Sequence, residues 1–268
     1  MKGWAVVVAV VVVVVASGVG LWVTWDSTQT AATGPGLVPD DLVPTTTYLA
    51  TGQSTTTTLA PCAPAAGGAG PEVVAGDPRD DWDRVVIDPA HTLPADFAPD
   101  DLVSVSRAGF PSEDRVRDIV IDDLAALRAA AEANGTPLVV VSGYRSYDYQ
   151  RDLFENRVDQ VGEAEAARRT ARPGHSEHQL GTAIDVLDPG AGDLTTAFAA
   201  TPQGRWVAAN APSFGFVVSY PDGAAARSCY EYEPWHLRYV GRDTAAAIKT
   251  ANVTPREWML ANPAAATP

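Results

Sequence analysis

The chain has 268 residues, enough for one good-sized core plus extensions. Its 19 Lys plus Arg against 33 Asp plus Glu give a formal charge of −14, which repels nucleic-acid phosphates and excludes nucleic acid as a partner. Its only lysines are Lys2 and Lys249, neither with a serine three residues before it, so a Ser-x-x-Lys nucleophile is excluded too.

Residues 4–25 form an uncharged, mostly apolar run rich in valine. At about 1.5 Å per residue such a helix can cross a bilayer. Lys2 precedes the run and Asp26 follows it, which places the N-terminus inside and the remainder outside. Residues 1–26 are therefore expected to be a transmembrane anchor. A cleaved signal peptide is the alternative, since Ala16, Ser17 and Gly18 supply small residues. Either way the bulk of the chain is exported and meets an oxidising compartment. Residues 27–80 are rich in Thr, Pro, Ala and Gly and poor in large apolar residues. They are expected to form a disordered stalk, because little buried area offsets backbone ordering. The folded domain is expected over 81–263, with a tail at 264–268.

Inside that domain, Leu93, Pro94 and residues 100–103 read as a lead-in segment wrapping the core. Val116, Ile119, Ile121, Leu124, Leu127 and Ala130 recur at helical spacing and predict a helix over 113–134, closed by Asn134 and Gly135. Residues 137–141 predict a buried strand and 147–161 a helix. A strand at 181–186, a helix at 202–211, strands at 214–219 and 235–240, and helices at 244–251 and 255–261 follow. This order predicts an α+β domain with a small, mainly antiparallel sheet flanked by helices.

Three groups carry the chemistry: Ser142-Gly143-Tyr144-Arg145-Ser146, then Ser176-Glu177-His178-Gln179-Leu180-Gly181-Thr182-Ala183-Ile184-Asp185, then Glu233-Pro234-Trp235-His236. Together they offer two imidazoles, a carboxylate, a second carboxylate beside a histidine, and one fixed cation. That is the inventory of an open catalytic zinc site, in which three protein ligands leave the fourth position for water. Zinc brings that water's pKa towards neutrality, and a nearby glutamate takes its proton. His178 and Asp185 are seven apart, too far for one helical face, so a turn at Gly181 followed by a strand must fold one beside the other. Glu233 and His236 would point to opposite faces of an extended strand, so Pro234 must redirect one of them. Arg145 follows a strand and a glycine turn, a natural place for a guanidinium that grips a carbonyl or carboxylate.

These segments resemble the zinc D,D-carboxypeptidases of the VanY type, cell-wall peptidases that share their fold with the hedgehog signalling domain. The pattern Ser-x-His-x-x-Gly-x-Ala-x-Asp is met at Ser176, His178, Gly181, Ala183 and Asp185, and Glu-x-x-His at Glu233 and His236. The resemblance runs from about Leu93 to about Asn262. It implies that His178, Asp185 and His236 hold Zn2+. Glu233 would be the general base, and Arg145 would bind the substrate carbonyl and its developing oxyanion. Ser176 would help hold the substrate's terminal carboxylate, and Gln150 is a further pocket candidate. The implied substrate is a peptidoglycan stem peptide ending in D-Ala-D-Ala. Rival readings are an L,D-carboxypeptidase or wall endopeptidase using the same atoms, and a non-catalytic wall-binding module. Glu233 and Arg145 weigh against the module, since a binder has no need of a base.

His175 is expected either to support the ligands from behind or to be structural, and His91 to be a surface or packing residue, with Trp235 in the pocket wall or the core. Arg168, Arg169 and Arg172 are expected to lie on a solvated loop, the alternative being an attraction for stem-peptide carboxylates. Cys62 and Cys229 are expected to form a disulfide, the alternatives being a nucleophilic Cys229 or two free thiols. A monomer is the expected state.

Overall fold

The computed structural model describes residues 44–48, 54–58, 62, 72–74 and 76–264. The expected anchor, and the rest of the expected stalk and tail, lie outside these residues. Among the described residues no helix is long and apolar enough to cross a membrane.

Within the expected stalk, β1 (Pro44–Tyr48) pairs antiparallel with β2 (Ser54–Thr58), Pro44 opposite Thr58 and Tyr48 opposite Ser54. Their runs of β-branched threonine suit extended backbone. Next, β3 (Glu72–Val73) runs parallel to β4 (His91–Thr92). Val74, Val85, Ile87, Leu93 and Phe97 cluster around Leu180, so the packed body begins earlier than residue 81 and the lead-in segment does wrap it.

β5 (Leu102–Ser104) pairs antiparallel with β6 (Arg115–Arg117), and α1 starts only at Ile121 and ends at Ala133. The helix expected from residue 113 is thus shorter by about two turns. Arg117 N–H donates to Gly181 C=O and Asp118 N–H to Asp101 C=O, so tertiary pairing takes the backbone donors a helix would need. The β-branched Val116, Ile119, Val120 and Ile121 offer little local resistance. The chain continues through β7 (Val139–Ser142), α2 (Tyr147–Val161), α3 (Glu163–Arg169), β8 (Ala183–Leu187) and α4 (Pro202–Asn210). It closes through β9 (Phe216–Val218), α5 (Ala225–Ser228), β10 (His236–Tyr239), α6 (Arg242–Ala251) and α7 (Pro255–Ala261).

Strands β7, β8, β10 and β9, in that spatial order, make one four-stranded sheet, antiparallel throughout. Side chains alternate between its faces. Ile184 and Val186 of β8, with Leu237 and Tyr239 of β10, join Leu124 and Leu127 of α1 in the main core. Burying each such aliphatic side chain contributes roughly 1.5–3 kcal/mol. Asp185, His236 and Arg238 occupy the alternate positions, so the face turned away from α1 carries the chemistry. α2 is capped by Ser146, whose hydroxyl accepts from Tyr149 N–H, and stops at Gly162, whose φ is 82°.

Candidate active site

Asp185 and His236 are directly opposite each other in the β8–β10 ladder. The third residue, His178, comes from the 3-10 turn Glu177–Leu180, which ends at Gly181 with φ 77°. A side chain there would be strained by that backbone and would also meet Arg117, Leu102 and Pro99 at 3.0–3.1 Å. This is the turn that brings His178 back over the strand.

His178 Nε2 is 3.2 Å from His236 Nδ1 and 3.3 Å from Asp185 Oδ1, and His236 Nδ1 is 3.1 Å from Asp185 Oδ1. Ligands at about 2.0–2.1 Å from a tetrahedral zinc stand about 3.3 Å apart, so these three atoms form one face of such a site. Hydrogen bonds behind the triad fix its tautomers. His178 Nδ1–H donates to Gly143 C=O at 2.6 Å, leaving Nε2 for a metal. Gly143 itself lies against Arg115, where a Cβ would come within 2.5 Å of the carbonyl oxygen. His236 Nε2–H donates to Glu177 at 2.9 Å, leaving Nδ1. A carboxylate behind a ligand histidine orients the ring and raises its basicity.

Glu177 is itself clasped by Ser219 Oγ at 2.6 Å and Arg238 Nη1 at 2.9 Å. Arg238 is fully buried and also donates to Trp82 and Val85 carbonyls. Burial opposes ionisation of Glu177, but the Arg238 charge and the His236 hydrogen bond hold it down at about 2. Burial, helped by the Arg145 charge, lowers His178 to about 4. Burial disfavours charge on His236, yet Asp185 and Glu177 at its two nitrogens raise it to about 10. Burial thus keeps His178 a neutral donor at Nε2, while Asp185 and Glu177 set negative charge around His236, a setting that suits a divalent cation.

Glu233 lies in a turn, not a strand: His236 N–H donates to Glu233 C=O at 3.2 Å, with Pro234 at the second position, which proline's fixed φ suits. The turn puts Glu233 and His236 on one side. Glu233 lines the cleft with no side-chain hydrogen bond among the described residues, and burial pushes it up to about 7. Arg145 donates to Asp185 Oδ2 at 2.8 Å, Ser142 Oγ at 3.1 Å and Gln150 Oε1 at 3.3 Å. Three of its five N–H groups are thus engaged. Gln150 is buried and anchored by Ala171 C=O at 2.8 Å. Ser176 caps the 3-10 turn, accepting from His178 N–H at 3.4 Å, and lines the cleft.

The cleft measures about 560 Å³ and gathers Arg145, Gln150, Ser176, His178, Asp185, Glu233, Trp235 and His236. Tyr220 also lines it and stacks on His236, ring centres 4.9 Å apart. His175 is structural, bonded to Asp88 C=O at 2.7 Å, and partly exposed His91 pairs with Asp88 at 2.8 Å. Trp235 serves both the cleft and the core. Arg168 and Arg169 sit on α3 rather than a loop, and pair with Glu165 and Glu231. Arg172 pairs with Glu163. Cys62 and Cys229 are bridged, Cα atoms 5.2 Å apart, outside the cleft lining.

Glu177, Ser219, Arg238 and Tyr220 were not singled out from the sequence. Arg238 carried a signal: a lone cation between apolar residues in a predicted strand calls for a buried acid.

The sequence profile of VanY, D-alanyl-D-alanine carboxypeptidase, matches residues 113–242. The structure of the LdcB LD-carboxypeptidase is 38% identical, with a TM-score of 0.59, over 65% of this chain and 84% of that one. The chain belongs to the VanY family. A second solved structure is a mutant of the D,D-pentapeptidase VanY from a VanB-type vancomycin resistance cassette, in complex with Zn(II). It is 27% identical, TM-score 0.58, over 66% of this chain and 99% of that one. A curated relative, the putative carboxypeptidase YodJ of Bacillus subtilis (strain 168), is 39% identical over 179 residues, 65% of this chain. The chain spans 65% of that relative's own length. His178, Asp185 and His236 offer three ligand atoms within 4.8 Å of one another, a set that suits a divalent ion such as the Zn(II) of the VanY mutant structure.

Proposed function

We propose that the protein is a zinc D,D-carboxypeptidase that removes the terminal D-alanine from peptidoglycan stem peptides ending in D-Ala-D-Ala. The observation that carries this reading is the cross-strand pair Asp185–His236 with His178 against it, opening on a cleft that also holds Glu233 and Arg145. His178 Nε2, Asp185 Oδ1 and His236 Nδ1 hold the metal. Bound zinc supplies Lewis acidity, polarising the scissile carbonyl and acidifying water. Glu233 takes the proton from the attacking water and passes it to the leaving D-alanine amine. Arg145 turns its two unengaged N–H groups to the carbonyl oxygen as charge develops there. Gln150 and Ser142 fix the guanidinium, and Ser176 Oγ faces the substrate's terminal carboxylate. The reaction takes place outside the cytoplasmic membrane. The Cys62–Cys229 bridge supports an oxidising compartment.

A second reading, L,D-carboxypeptidase action on a stem tetrapeptide, is favoured by the 38% identity to the LD-carboxypeptidase LdcB. One assay separates the two: zinc-loaded protein is incubated with stem pentapeptide and tetrapeptide, and the products are read by mass. Loss of one alanine from the pentapeptide alone is expected. Loss from the tetrapeptide alone would move the assignment to L,D, and loss from neither would overturn both. Elemental analysis should find about one zinc per chain in the wild type and none in His178→Ala.

A further inference from the structure

Three arginines line the cleft: Arg145, Arg157 and Arg169. Arg145 is committed to Asp185, and Arg169 pairs with Glu165 at 2.9 Å and Glu231 at 3.2 Å. Arg157 makes no ion pair among the described residues. Its Nη1 reaches only Gln160 Oε1, a neutral partner, at 3.2 Å. The carboxylates lining the cleft are Asp185, Glu231 and Glu233. Asp185 belongs to the triad and Arg145, Glu231 is held by Arg168 and Arg169, and Glu233 is in the turn beside His236. A partly buried guanidinium on a cleft wall, in a chain of net charge −14, is therefore left without an anionic partner among the described residues, with only Nη1 engaged and by a neutral acceptor.

Its position along α2 gives a distance. Gln150, Leu153 and Arg157 stand at i, i+3 and i+7, one face of the helix, and all three line the cleft. Arg157 is about 10 Å further along the axis than Gln150, the residue that steadies Arg145. An extended peptide covers about 3.3–3.6 Å per residue, so about 10 Å corresponds to about three residues. Between the two ends Leu153 is 37% exposed, and Leu194, 39% exposed, lines the same cleft.

We infer that Arg157 is a substrate-binding residue that receives a free carboxylate carried by the stem peptide two to three residues upstream of the scissile carbonyl. Leu153 and Leu194 hold the apolar stretch between. The inference rests on the proposed D,D-peptidase function; an L,D cut would move the scissile carbonyl one residue upstream and shorten the spacing to the same carboxylate by one residue.

The test uses two peptides ending in D-Ala-D-Ala, identical except that one has the upstream carboxylate converted to a carboxamide. The zinc-loaded wild type should favour the carboxylate peptide by roughly tenfold in kcat/KM, carried by KM, the loss typical of one charge-assisted hydrogen bond. Raising the salt concentration should shrink that ratio. Arg157→Gln should bring it near one, and Arg157→Lys should keep part of it, a point charge replacing a fork. A wild-type ratio near one, or an Arg157→Gln ratio equal to the wild type's, overturns the inference. If the wild type cuts neither peptide, the functional reading falls, and equilibrium binding then decides the inference by the same ratio. A binding preference lost in Arg157→Gln supports it, and equal binding of both peptides overturns it.

Discussion

Glu177 is the residue on which the geometry of the site most depends without touching its centre. It grips His236 Nε2, and Ser219 and Arg238 grip it in turn. Glu177→Gln keeps the shape and an acceptor but removes the charge behind the ring. Zinc affinity should fall by about 10–100-fold, as is typical when the partner of a ligand histidine is altered. Chelator competition measures this, and wild-type affinity would show that the clasp does not act on the metal. Glu233→Gln separates base from ligand. It should keep about one zinc per chain and lose on the order of 10²–10⁴-fold in kcat, the range for removal of a general base. Near-wild-type turnover with full zinc would assign the proton to another group. At this scale the motif residues were legible in the sequence, because ligand chemistry needs particular side chains at particular spacings. The clasp was not: its partners lie 42 and 61 residues from Glu177 and meet only through strand pairing.

Among the elements, α2 and α7 run over the residues the sequence predicted, because each carries its own start signal. Ser146 caps α2, and Thr254 with Glu257 forms a capping box before α7. α1 was misread at its start, since strand pairing and a helix competed for the same apolar spacing. The turn at Glu233 was foreseen as a need for Pro234 and observed as a hydrogen-bonded turn. A buried node joins these elements outside the cleft. Asp88 is bonded by His91 Nδ1 at 2.8 Å and by Arg256 Nε of α7 at 2.6 Å. Burial raises its pKa, but the His91 hydrogen bond and the Arg256 charge outweigh it and hold Asp88 below the ordinary carboxylate value. Its folded pKa is thus below the unfolded value of about 3.9. The stabilisation is present above that value and is lost as pH falls through the folded pKa. Asp88→Asn, which keeps an acceptor but not the charge, should cost about 3 kcal/mol at pH 7, the lower end for stripping a buried pair. The gap in Tm between wild type and variant should begin to narrow below about pH 4, where the unfolded chain's Asp88 takes up a proton before the folded one does. Melting curves from pH 7 to pH 3 check this, and a constant gap would remove Asp88's charge from the account.

For the molecule as a whole, the family profile begins at residue 113, yet the packed body begins with β3. Leu93 and Phe97 pack against Leu180 of the turn that carries His178, and Trp82 and Val85 accept from Arg238 behind Glu177. The N-terminal wrap therefore supports the centre, a role the sequence showed only as a lead-in segment. The Cys62–Cys229 bridge extends this wrap across 167 residues of chain. Cys229 ends α5 with φ 71°, a conformation unusual for a residue with a Cβ, and Tyr230 follows it to pack on Tyr220 beside His236. The loop-closure relation gives about 5 kcal/mol for a loop of that length, an upper bound because native strain is ignored. For a domain of this size each kcal/mol shifts Tm by about 2–4 °C, so Cys62→Ser should melt lower by several degrees and by about 20 °C at most. Peptide mapping without reduction should recover Cys62 and Cys229 in one linked fragment. Two freely alkylated thiols in native protein would rule out the bridge. A linked fragment together with an unchanged Tm in Cys62→Ser would keep the bridge but remove its contribution to stability.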